Sequence, residues 1–129
     1  MTARRSTAVT VALAVLAAVI IHDALEPTAF HHHRSPAMLF VAGLLATALL
    51  ALAPRIRSSG VVLGAGIAAG GALATFVSGL AWGAVPDPLV QGGIAFNLAD
   101  VAIAFGDALL LVAALLYAWT NRARLREPV

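Results

Sequence analysis

Cysteine is absent from this chain of 129 residues, which excludes disulfides, thiol catalysis, Cys-ligated metal and a lipidated cysteine. Lysine is absent too, and all eight basic residues are arginine. Charge of either sign is scarce: Asp, Glu, Lys and Arg together make up 11% of the chain, where a soluble domain carries about a quarter. What fills the space is apolar, 61% of all residues. A surface so poor in charge is not solvated by water, so the chain reads as an integral membrane protein. The arginines then describe membrane topology, and no nucleic-acid partner is expected.

Apolar runs near residues 7–25, 36–54, 60–82 and 97–119 are each long enough for a hydrocarbon core of roughly 30 Å. Between them lie helix-stopping and turn residues: Pro27 and Pro36, then Pro54 to Gly60, then Pro86-Asp87-Pro88 with Gly92-Gly93. The expected fold is therefore an all-α membrane protein, a single four-helix transmembrane domain over residues 1–129. With four spans, Arg4, Arg5, Arg55, Arg57, Arg122, Arg124 and Arg126 fall on one side and only Arg34 on the other. The positive-inside rule makes both termini cytoplasmic. The first run is expected to stay as a helix, because His22, Asp23 and Glu26 occupy the place where a signal-peptide cleavage site would need small residues.

Polar residues inside apolar runs are costly and so mark function. Asp23 ends the first run, Thr75 and Ser78 lie in the last turns of the third, and Asn97 and Asp100 open the fourth; the topology brings all five to one outer level. Asn97, Asp100 and Asp107 share one helical face, expected to look into the bundle. Gly66 with Gly70, and Gly79 with Gly83, are small-xxx-small pairs that read as tight helix packing.

These residues carry a resemblance. Phe96, Asn97, Ala99, Asp100 and Gly106 match the F-N-x-A-D motif, with a Gly six residues on, that opens the last helix of the lipoprotein signal peptidases (signal peptidase II), four-helix membrane aspartic proteases that cleave lipidated prolipoproteins. Gly70-Gly71-Ala72, then Gly83, Val85 and Asp87, resemble the frame of the family's preceding motif, G-G-A-x-G-N-x-x-D-R followed by G-x-V-x-D. Within that frame the family's Asn falls on Thr75, its catalytic Asp on Ser78 and its Arg on Gly79. Asp23 falls where the family has a D-Q-x-x-K-type motif, and Arg34-Ser35-Pro36 near its Arg-Asn.

The resemblance implies a multi-pass protein of the bacterial cytoplasmic membrane. It implies Asp100 as a catalytic residue, Ser78 at the place of the missing second Asp, and Asn97, Asp23, Asp87 and Thr75 in support. Its partners would be the signal peptide of a lipidated prolipoprotein and membrane lipid, with no cofactor and no metal. An aspartic protease needs two carboxylates sharing one proton, one to take a proton from water and one to hydrogen-bond the scissile carbonyl. A serine hydroxyl is no base near neutral pH, so Asp23 or Asp87 would have to complete the pair. Asp107, about 10 Å deeper at 1.5 Å per residue, is too far. A serine mechanism through Ser78 lacks an identifiable base, since nothing in the sequence places His22 beside it. His31-His32-His33 are too closely spaced for a structural zinc site and read as loop. Trp82, Tyr117 and Trp119 mark membrane interfaces.

Three readings remain open: an aspartic endopeptidase of the signal peptidase II type; a catalytically inactive relative acting as a binding or structural membrane protein; and a small proton relay through Asp100 and Asp107.

Overall fold

Four helices form where the apolar runs predict them: α1 (Ala3–Leu25), α2 (Pro36–Leu52), α3 (Ser59–Trp82) and α4 (Leu98–Thr120). All four are long and apolar enough to cross a membrane. In lipid, the helix is the solution that satisfies every backbone group within the segment. The computed structural model describes residues 3–25, 30–32, 36–82, 85–87, 89–91, 94–96 and 98–122, with side chains over 3–22, 37–80 and 98–122. Asn97, Arg34, Gly83, Arg124 and Arg126 lie outside the described residues, as do the side chains of Asp23, Asp87, His31 and Trp82.

Helix ends follow local chemistry. Pro36 occupies the first position of α2, where a missing N–H costs nothing. Pro54 ends that helix in a short 3₁₀ turn, Ala53–Arg55. Ser58 caps α3: its Oγ accepts from the Val61 N–H at 3.3 Å and its carbonyl from the Val62 N–H at 3.1 Å. The last carbonyls of α2 and its 3₁₀ turn are met from another helix. Arg4 Nε donates to the Pro54 carbonyl at 2.8 Å and Arg5 Nη2 to that of Ala51 at 3.3 Å, placing cations where a helix C-terminus favours them.

α3 is the axis of the bundle and packs against α1, α2 and α4. Its glycines explain why. A β-carbon at Gly64 would lie 2.6 Å from the Leu110 backbone nitrogen, and one at Gly71 2.8 Å from the Ala99 carbonyl oxygen. Gly60, Gly64 and Gly71, with Ala68 facing Gly106, thus form a seam on which α4 rests backbone to backbone. Gly66 and Gly70, the expected packing pair, meet α1 at Ala8, Val11, Ala12 and Val15, while Gly79 meets Leu39 of α2. The core is correspondingly small-sided: Ala12, Ala46, Ala69 and Ala72 form one buried cluster, and Val19, Ala74 and Ala99 another.

The connections depart from the expected turns. β1 (Phe30–His32), between α1 and α2, pairs antiparallel with β2 (Val85–Asp87), after α3, in the register Phe30 with Asp87, His31 with Pro86 and His32 with Val85. β3 (Leu89–Gln91) and β4 (Ile94–Phe96) pair antiparallel with each other. Strands of three residues are too short to show a period-two pattern, and proline argues against a strand wherever one is sought from sequence. Pro86 is tolerated because a two-stranded ribbon is all edge.

Candidate active site

Asp100 enters the first turn of α4, where the free N–H groups of a helix start favour a carboxylate. Opposite it, the contact of Gly71 with Ala99 and Ile103 fixes the level of α3. One turn beyond Gly71 comes Thr75. Thr75 and Asp100 thereby line the same cleft, of about 180 Å³, together with Ala72, Ile103 and an apolar wall from α2 of Met38, Val41, Ala42 and Leu45. The sequence drew no attention to that α2 wall, because an apolar residue facing a site and one facing lipid look alike.

The hydroxyl of Thr75 donates back to the Gly71 carbonyl at 3.3 Å, and its residue is buried. Ser78 is only 1% exposed, within α3. Both satisfy the expectation of polar groups at one end of the third helix, but Thr75, and not Ser78, shares the cleft with Asp100. Among the described side chains Asp100 is the one carboxylate lining it. Asp23 lies in the last turn of α1, and Asp87 lies in β2 opposite Phe30.

The face expected to look inward on α4 is offset. The buried line runs through Ala99 and Gly106, one residue before Asp100 and Asp107, which are half-buried at its edge. Glycine and alanine take the centre because only they allow the backbone approach to α3. Among the described residues no cluster of His, Asp or Glu is placed to hold a metal.

A second apolar cleft, about 240 Å³, lies deeper between α2 and α4 and is floored by Val61 of α3. Leu45 lines both clefts. The two helices leave an apolar trough that leads from the Asp100 level toward the arginine-rich end.

Residues 24–116 match the family model described as Signal peptidase (SPase) II. Comparison with curated proteins gives no match. A solved structure described as a bacterial membrane enzyme, determined by the in meso method at 2.3 Å resolution, superposes with a TM-score of 0.69 at 15% identity, over 96% of this chain and 94% of that one. Such low identity establishes a shared fold. The family match spans the end of α1, both ribbons and most of α4, including Thr75, Ser78 and Asp100, and with it the chain belongs to the signal peptidase II family.

Proposed function

We propose that this protein is a lipoprotein signal peptidase-like membrane protein that receives the signal peptide of lipidated prolipoproteins in the trough between α2 and α4, yet, with no second carboxylate beside Asp100 among the described side chains, does not cut it unaided. The observation that carries this reading is the company of Asp100: across the cleft stands Thr75, its hydroxyl engaged with its own helix, while Ser78, on which the motif resemblance sets the family's second Asp, is buried.

A dyad works because one carboxylate is ionised while the other holds a proton. A hydroxyl in either place supplies neither a base nor a comparably acidic proton, and loss of acid–base catalysis costs about 10² to 10⁴ in rate. The apolar trough remains suited to a helical signal peptide, read as an amphipathic or apolar helix in a groove.

The whole chain acts, on this reading, as one four-helix domain of the bacterial cytoplasmic membrane. Arg4, Arg5, Arg55 and Arg57 gather at one end of the bundle, supporting a cytoplasmic assignment for that end and an outer level for Asp100.

The test is prolipoprotein processing in a bacterial strain depleted of its own lipoprotein signal peptidase. The unmodified chain is expected to leave prolipoprotein uncut while a photo-crosslinker at Val41 traps it. Cleavage by the unmodified chain would overturn the inactive reading and assign Asp23 or Asp87 as partner to Asp100. Absence of any crosslink would overturn the binding role.

A further inference from the structure

At the opposite end from Asp100, two clefts open on either side of one short stretch of chain. The first, about 520 Å³, runs between α3 and α4. The second, about 500 Å³, runs between α1 and α3. Arg57, Ser58 and Ser59 line both. Beyond this shared polar mouth most of the wall is apolar, from Leu109, Val112 and Leu116 in the α3–α4 cleft and from Val62 and Leu63 in the α1–α3 cleft, which Arg4 and Thr7 also line.

The arginines at this end are not equivalent. Arg4, Arg5 and Arg122 each donate to a backbone carbonyl, of Pro54, Ala51 and Trp119 respectively, and Arg122 also stacks 4.5 Å over the Trp119 ring. Arg57 is exposed and, among the described residues, makes no hydrogen bond or ion pair. Its five N–H donors form a planar fork suited to phosphate. Ser58 is already engaged as the α3 cap, leaving the Ser59 hydroxyl as the second polar group shared by both mouths. The level is that of a membrane interface, as Tyr117 and Trp119 lie within the same last turns of α4.

We propose that this end binds an anionic phospholipid, its phosphate on Arg57 and Ser59 and one acyl chain in each groove. One anionic head with two apolar chains is the membrane component that fills both clefts from a single head position, and basic pockets between transmembrane helices are suited to such headgroups. The site is independent of the peptide trough and of any peptidase activity.

The test uses the full chain purified in detergent, with native mass spectrometry counting retained phosphatidylglycerol against phosphatidylcholine. Phosphatidylglycerol is expected to be retained preferentially. Arg57→Gln is expected to reduce that preference about fivefold, the order of one arginine near an anionic surface, whereas Arg55→Gln, whose residue lines neither cleft, leaves it intact. Val112→Trp, which fills the α3–α4 groove without touching charge, is expected to weaken retention of both lipids. Equal retention of the two lipids by the native chain, or equal losses from Arg55→Gln and Arg57→Gln, would overturn the site. So would displacement of the lipid by millimolar inorganic phosphate, since the headgroup alone would then account for binding.

Discussion

α3 and α4 are both apolar, both long enough to span, and adjacent in the bundle, yet they meet opposite environments. Of the most apolar 18-residue stretch, 61% is buried in α3 and 6% in α4. The difference does not follow hydrophobicity. α3 is built from glycine and alanine, and α4 presents Phe105, Leu111, Leu115 and Leu116 outward. In water the large apolar side chains would seek the core; in lipid they have no reason to, and what seeks the core is the residue small enough to let backbones touch.

The contrast is broken most sharply at the seam. Gly64→Leu would place side-chain carbons against the Leu110 backbone and the Gly106 carbonyl, neither of which yields without separating the helices. Overpacking costs about 1–3 kcal/mol and more where backbone must move, so the loss is expected to reach about 3 kcal/mol in reversible unfolding from mixed micelles. Native-like stability would mean that α3 and α4 do not touch along this line. Arg4→Gln should cost about 1 kcal/mol in the same assay, the worth of one hydrogen bond to an otherwise unmet carbonyl; no change would show that water serves Pro54 equally well. Leu115→Ala, on a residue 69% exposed on the lipid-facing side of α4, should stay within about 0.5 kcal/mol. A larger loss would place a protein partner on that face.

How much of this was legible in the sequence depends on which force wrote each feature. The helices were legible because a span needs an uninterrupted apolar run, and their observed bounds differ from the expected ones chiefly at the start of α1, which begins at Ala3 because Arg4 and Arg5 are held by hydrogen bonds instead of fraying. The common level of Thr75 and Asp100 was legible as well, from span order and helical rise. The seam of Gly60, Gly64 and Gly71 was not singled out, because the Gly66–Gly70 pair, which serves α1, looks the same in a sequence. The ribbons were illegible, since strand pairing between distant connections leaves no local mark. A second carboxylate for Asp100 was not legible either, because Asp23 and Asp87 stand at the connections, where no helical repeat sets their level.

The pairing of β1 with β2 also bears on how the protein is made. Phe30 emerges early in synthesis, but its partner Asp87 follows only after α2 and α3 have been produced. The ribbon therefore cannot close while the first helical hairpin stands alone in the bilayer. It can close only after α3 has been made, whereas the hydrogen bonds from Arg4 and Arg5 join α1 to the end of α2 and need nothing synthesised later.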